Sequence, residues 1–426
     1  MFKYIIEGGY NLSGNIRIYG SKNTSLTVLP VAILTDEPVN FTNLPHVQDV
    51  VLMLAMFADI GADISLNKYY PDKTPSLSLC FKNNIKNIAS YEFVSKMRAS
   101  ILLLGPMLAR FGYTEISLPG GCAIGARPVD LHIMAMRQLG ANVFIDNGYI
   151  KATAPKGGLV GGVIDFPKIT VGGTENALMA CVLAKGLTVI KNAAIEPEIV
   201  HLCNILLKMG AKIEGVGTNE LRIMGVDKLH GANYHIPSDR IQTFTYAIIS
   251  AATGFGIDVI GSTMDDFIGT LDILYNAGIS IQEENSVIKV IKIEKNLKPI
   301  NVTTAVIPGF PTDCQAQLMA LMSVVKGDSY ISEDIFENRM MHVPELNRMG
   351  ANIDLRGSCA KVSGVENLSG AQVIATDLRA SASLVIAGLM AKGVTEIHRV
   401  YHIDRGYDFL PAKLESCGAK ISKVFE

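Results

Sequence analysis

The chain has no run of about 18 uninterrupted apolar residues, so nothing in it is suited to span a bilayer. Its opening, MFKYIIEGGYNLSG, holds an apolar stretch too short for a signal peptide. Charge of neither sign dominates: 38 Lys plus Arg against 40 Asp plus Glu leaves a net of −2. Without a basic field, nucleic acid is not an expected partner. The seven cysteines (Cys80, Cys122, Cys181, Cys203, Cys314, Cys359 and Cys417) are odd in number, scattered and without CxxC pairs. That argues against a disulfide framework or a zinc site and for reduced thiols in a cytoplasmic protein. GxxxxGK[ST], a GxGxxG following a strand, and HExxH are all missing. His132, His201, His342 and His402 lie too far apart in sequence to suggest a metal site; core or interface roles suit them better. No cofactor and no metal are expected. Tryptophan is absent too, and nothing follows from that.

What is present is a repeat. With 426 residues, 49% of them apolar and 18% charged, the chain fits two or three globular domains. A glycine after an apolar helical stretch recurs as DIGADI, QLGANV, KMGAKI, NAGISI, RMGANI and SCGAKI. The glycines (Gly61, Gly140, Gly210, Gly278, Gly350 and Gly418) are spaced 79, 70, 68, 72 and 68 residues apart. Each reads as a helix C-cap followed by an alternating strand. The period is longer than that of common solenoids, so each unit is expected to be a small α/β module.

A second helix recurs in register, beginning GSKNTSLTVLPVAIL, SKMRASILLLGPMLA, TVGGTENALMACVLA, SDRIQTFTYAIISAA, PTDCQAQLMALMSVV and TDLRASASLVIAGLM. Each opens on cap-competent polar residues and then turns apolar on nearly every face, the pattern of a buried helix. One repeat reads as buried helix, strand, second helix, Gly and two strands. The sixth stops one strand short at GAKISKVFE, while the N-terminus offers YIIEGG and GNIRIYG before any helix. The N-terminal strands are therefore expected to complete the last repeat. Three repeats fall in a domain over 22–237 and three in a domain over 238–426 plus 1–21. A cleft between two such domains is a usual place for a ligand.

The unusual charges follow the repeat. Lys22, Arg98, Arg240, Asp313 and Arg379 fall at the starts of buried helices, and Cys122, Arg127, Arg339 and Arg405 fall between the short strand and the second helix. Helix N-termini favour phosphate or carboxylate, and a guanidinium grips either with two parallel hydrogen bonds. Any one of these charges could be a cap or an ion pair; the set points to an anionic substrate. In LPGGCAIGARPVD, Cys122 sits among Gly120, Gly121 and Gly125, close to Arg127. Nearby cations suit a nucleophilic thiolate, whereas a bound anion would keep the proton on and suit a general acid. The residues alone leave that choice open. The other six cysteines lie in helical or strand patterns and read as packing residues.

GSKN, MRAS, LPGGCAIGARPVDLH, PTDCQAQ, FENRMMHVPEL, ATDLRASASL and HIDRGY together resemble the UDP-N-acetylglucosamine 1-carboxyvinyltransferase family of enolpyruvyl transferases. The resemblance runs from about residue 6 to the C-terminus. It implies an α/β fold of two inside-out barrels, built from six helix-strand-helix-strand-strand repeats, three per domain. It implies transfer of enolpyruvate from phosphoenolpyruvate to the 3-hydroxyl of UDP-N-acetylglucosamine, the step that opens peptidoglycan precursor synthesis. Lys22, Asn23, Arg98, Arg127, Arg379 and Arg405 are then the implied phosphoenolpyruvate clamp. Cys122 matches the family's proton donor on the first domain's lid loop, and Asp313 its base, with Lys22 and Arg405 also in the catalytic set. The nucleotide sugar is implied at Asn23, Arg98, Arg127, Pro128, Val129, Asp130, Leu131, Lys168, Thr170, Val171, Gly172, Asp313 and Ile335. Arg339, Asp377 and Arg240 match charged residues in or beside the family's cleft. Ser21, Leu102 and Thr170 stand where the family more often has Ala, Trp and Ser. Only the two small-molecule substrates are implied as partners, with no nucleic acid, membrane or obligate protein partner. Two alternatives share the fold: enolpyruvyl transfer to shikimate 3-phosphate, and a catalytically silent nucleotide-sugar-binding regulator.

Overall fold

In a computed structural model, residues 1–67, 75–82, 85–95, 97–118, 125 and 128–425 are described. The chain forms two compact units. The first contains Gly20–Gly121 and Arg127–Pro237; the second contains Met1–Tyr19, Cys122–Ala126 and Ser238–Glu426. Each holds three four-stranded sheets.

The observed repeat is β-α-β-α-β-β. In the third repeat, Val163–Thr170 leads into the helix Val171–Cys181 and runs parallel to Leu187–Ala193. Helix Pro197–Lys208 then returns the chain to the antiparallel pair Lys212–Glu214 and Glu220–Met224. The leading parallel strand is the one element the pattern reading left out of the repeat. In four repeats it is only Ile88–Ala89, Asn233–His235, Asn301–Val302–Thr303 or Gln372–Ile374, too short for alternation to register.

Closure uses distant segments. Asn233–His235 pairs in parallel with Val39–Thr42, so the last strand of the first unit completes its first sheet. Phe2–Glu7 inserts between Val394–His398 and Lys420–Phe425, supplying the strand that the sixth repeat lacks. Ser13–Arg17 runs parallel to Gly256–Ile260 and leads the fourth repeat. Both ends of the chain thus belong to one unit. All six repeat glycines have positive φ, from 87° to 105°, the left-handed conformation that ends a helix without a Cβ clash.

The recurrent apolar helices are buried on every side; in Leu378–Met390 each residue from Leu378 to Leu389 is buried. The sheets around them alternate, as in Val39–Thr42, where Val39 and Phe41 are buried and Asn40 and Thr42 exposed. Each unit is thus helix-centred and sheet-clad, with its own apolar core. Three of the helices are not uniform: Lys22–Val28 continues as the 3₁₀ turn Leu29–Leu34, while the 3₁₀ turns Arg98–Leu103 and Thr312–Cys314 precede Leu104–Phe111 and Gln315–Met322. Pro30 and Pro106 lack the N–H that an α-helical bond needs, which favours the tighter turn beside them. Among the described residues, no helix is long and apolar enough to cross a membrane.

Candidate active site

In the first unit, Ser21 caps the helix Lys22–Val28, its hydroxyl accepting from the Thr24 N–H at 3.1 Å, a bond alanine could not make. The first turn holds Lys22 and Asn23, both half-buried. Lys22 Nζ lies 3.3 Å from Oδ2 of Asp49, which is buried in the first turn of Gln48–Ile60. Arg98 begins its 3₁₀ turn half-buried, and the family's tryptophan position is a buried Leu102.

Residues 128–131 and 168–172 meet through two residues that sequence reasoning did not assign to the site. Asn176 Oδ1 accepts from the Gly105 N–H at 2.7 Å, which fixes the amide's orientation. Its Nδ2 then donates to the Ile101 carbonyl and to Nδ1 of His132, both at 2.8 Å. The proton of the His132 ring therefore sits on Nε2. Burial pushes this imidazole down to about 4, Arg98 adds to the shift and Asp130 opposes it. His132 packs so closely over Gly172 that a Cβ there would stand 3.0 Å from its ring. Hence the start of helix Asp130–Gln138, with Pro128, Val129, Asp130 and Leu131, lies beside the start of Val171–Cys181. Thr170 caps the latter, accepting from the Gly173 N–H at 3.2 Å just as serine would. Lys168 is exposed in the irregular stretch of Val163–Thr170, where register shifts between Asp165 and Thr170 and Pro167 cannot donate. An open groove of about 800 Å³ on the same helix is lined by Pro128, Val129 and Asp130 and by apolar Ile133, Met134 and Phe144.

In the second unit, Asp313 accepts from two buried arginines. Arg339 Nη2 donates to Oδ1 at 2.7 Å, and Arg379 Nη2 to Oδ2 at 3.0 Å. The Asp313 side chain keeps 24% exposure, so its oxygens are reachable. Arg379 also donates to the Tyr407 hydroxyl at 3.4 Å, and its guanidinium carbon stands 5.7 Å from that ring. Burial alone would lower the Arg379 pKa; Asp313, Tyr407 and Asp239 together outweigh it and the net shift is upward. Tyr407 bonds Thr245 at 2.8 Å, and Gln317 ties Thr245 to the Asp313 carbonyl at 3.1 and 2.9 Å. The three central helices are thus pinned together beneath the arginines. Arg240, Asp313, Arg379 and Asp239 all act on the Cys314 thiol, which burial pushes up to about 12. The matching helix starts of this unit therefore converge.

Arg405 ends the 3₁₀ turn Val400–Arg405, half-buried, and acts on His402. Asp377 caps Leu378–Met390, its Oδ1 accepting from the N–H groups of Arg379 and Ala380. Ile335 is 36% exposed on a loop built by a further residue the sequence did not single out. The buried Glu333 carboxylate accepts from the N–H groups of Ile335 and Phe336 and from Thr304 through Oε1, and from Thr312 through Oε2. One carboxylate thus fixes both the Ile335 loop and the residue before Asp313. A polar Asn176 inside an apolar helical run could have been flagged; the burial of Glu333 is invisible in sequence. Cys122 and Arg127 lie outside the described residues.

The family model for EPSP synthase (3-phosphoshikimate 1-carboxyvinyltransferase) matches residues 6–414. The chain belongs to this family. Among its relatives, the UDP-N-acetylglucosamine 1-carboxyvinyltransferase of Novosphingobium aromaticivorans is 51% identical over 425 residues, covering 100% of this chain and 99% of that one. The protein of the same name from Paramagnetospirillum magneticum is 50% identical over 422 residues, 98% of each chain. Among solved structures, the enolpyruvyl transferase NikO from Streptomyces tendae aligns with a TM-score of 0.88 at 23% identity over 99% of both chains. EPSP synthase from Acinetobacter baumannii aligns at 0.76 and 19% identity over 100% of both. These two likenesses establish the inside-out α/β fold.

Proposed function

We propose that the chain transfers the enolpyruvyl group of phosphoenolpyruvate to the 3-hydroxyl of UDP-N-acetylglucosamine, releasing inorganic phosphate. This is the committing step of peptidoglycan precursor synthesis, carried out in the cytoplasm on two small-molecule substrates. The observation that carries the reading is identity near one half along the whole chain with relatives of that name.

The residue roles follow from the chemistry of the substrates. Phosphoenolpyruvate brings a phosphate and a carboxylate, and Lys22, Arg98, Arg127, Arg379 and Arg405, with Asn23, supply the fixed donors to hold them. Cys122 gives its proton to the methylene carbon, leaving an electron-poor C2. The sugar 3-hydroxyl attacks C2 while Asp313 takes its proton. Each Asp313 oxygen accepts one guanidinium bond and keeps a lone pair for that hydroxyl. The tetrahedral adduct then loses phosphate from C2 and a proton from the new methyl, restoring the double bond in the enol ether. Positioning and charge stabilisation supply most of the rate. The helix starts at Asp130 and Val171 offer N–H groups for the diphosphate, with Pro128, Val129, Leu131, Lys168, Thr170 and Gly172 around the nucleotide. Ile335 borders the sugar.

Phosphate release from phosphoenolpyruvate, measured with UDP-N-acetylglucosamine and separately with shikimate 3-phosphate, tests the proposal. Release with the nucleotide sugar alone is expected; release only with shikimate 3-phosphate, or with neither, overturns it.

A further inference from the structure

We propose that Glu175 is a positioning residue for the Lys22–Asn23 turn, a neutral acid whose proton is relayed through Thr27 to the Asn23 carbonyl. The inference rests on the reading above that Asn23 and Lys22 bind substrate. Its basis is a count of hydrogens. Thr27 Oγ1 lies 2.5 Å from Glu175 Oε1 and 3.0 Å from the backbone oxygen of Asn23. A hydroxyl has one hydrogen to give, and a carbonyl has none. Both bonds exist together only if Glu175 carries a proton and donates it to Thr27, which then donates to Asn23. An ionised Glu175 would claim the Thr27 hydrogen for itself, and Asn23 would lose its side-chain donor. The protonation state thus selects which end of the relay is tied.

The surroundings favour the neutral form. Glu175 and Thr27 are buried, at 6% and 2% exposure, on the helices Val171–Cys181 and Lys22–Val28. Burial pushes the Glu175 carboxyl up to about 7; the Thr27 bond opposes this, while Glu198 and Glu196 add to it from the start of helix Pro197–Lys208. From Asp130–Gln138 come His132, whose ring lies over Gly172, and Asp130. Other charges on neighbouring elements are engaged elsewhere or exposed. Lys22 pairs with Asp49, Arg98 acts on His132, and Arg110 donates to the Ile33 and Thr35 carbonyls. Glu220 and Arg222 pair with each other, and Lys191 is exposed. No salt bridge to Glu175 forms among the described residues.

The test is UDP-N-acetylglucosamine affinity by calorimetry from pH 5.5 to 8.5, with thermal unfolding over the same range. Its diphosphate diester does not titrate near neutrality, so a step there belongs to the protein. For the wild type, affinity is expected to weaken roughly threefold to tenfold as pH rises through 7, the size of one lost hydrogen bond. The carboxyl's folded pKa is raised above its ordinary value, so its stabilisation is complete below about 4.5 and is lost as pH rises through about 7. Glu175→Gln, whose amide donates at every pH, should keep the low-pH affinity throughout and flatten both curves. Thr27→Val should bind weakly at all pH values, and adding Glu175→Gln to it should change nothing further. An unaltered affinity step in Glu175→Gln overturns the proposal. So does a flattened melting curve with an unmoved affinity step, because Glu175 would then titrate without positioning the turn. Failure of phosphate release would count against the transfer reading only, since binding is read independently of turnover.

Discussion

The two units use one backbone repeat to present different chemistry. In the second unit two fixed cations, Arg379 at a helix start and Arg339 in the connection before Val343–Arg348, are buried and converge on Asp313. In the first unit the helix starts at Asp130 and Val171 offer mainly backbone N–H groups, braced from behind by the neutral His132–Asn176 pair. Lys22, half-buried opposite Asp49, is the intermediate case. The repeat supplies positive helix ends in both units, and side chains then divide the labour. A compact set of guanidiniums suits a small, doubly anionic substrate; a row of helix ends suits an extended diphosphate.

The comparison breaks most visibly at the buried ion pairs. Arg379→Met should abolish turnover and cost about 2–3 kcal/mol of stability, because the bonds of the buried guanidinium to Asp313 and Tyr407 are lost while Asp313 keeps Arg339. Lys22→Met should also abolish turnover but cost only about 1–2 kcal/mol, since the buried Asp49 keeps the positive N-terminus of its own helix around it. Phosphate-release assays and urea melts of both variants read this, and equal stability losses would erase the contrast.

A likeness between the units is next in size. His132 and His342 occupy matching places at the second helices of repeats two and five, and burial pushes each down to about 4. Their folded pKa values are depressed, so the stability they confer is present above the ordinary value of 6.5 and lost as pH falls towards 4. For His132 this amounts to about 3 kcal/mol across that window, and His342 shifts in the same direction. Urea melts from pH 7 to pH 4 should show a steep acid limb, shallower in His132→Gln and in His342→Gln by similar amounts.

The smallest effect belongs to the exposed loop. Ile335→Ala should raise the KM for the nucleotide sugar about threefold with kcat unchanged, the size of a modest lost apolar contact. A large fall in kcat would instead place Ile335 at the reacting atoms.

Much of this organisation was legible in the sequence because it repeats. Six glycines after apolar helices marked the left-handed caps, and buried helices announced themselves by being apolar on every side. The truncated sixth repeat pointed to both N-terminal strands, of which Phe2–Glu7 completes its sheet and Ser13–Arg17 instead leads the fourth repeat. The leading parallel strands were not legible, since segments such as NYH and QVI are too short to carry a period. At the site, charge against an apolar background singled out Asp313 and Arg379 among the helix starts and Arg339 among the connections. It could not reveal their pairing, which depends on how separate repeats meet. Glu333 and Glu175 were invisible for a related reason: an acidic residue reads as exposed until the fold buries it.

The proposed transfer runs by addition and elimination, with Cys122 delivering a proton that solvent can replace. The most direct measurement is the mass of the product formed from phosphoenolpyruvate and UDP-N-acetylglucosamine in D₂O. Protonation of the methylene carbon to a methyl intermediate predicts an enol ether carrying deuterium in its vinyl group. A product free of vinyl deuterium would contradict delivery of a solvent-exchangeable proton to a freely rotating methyl group.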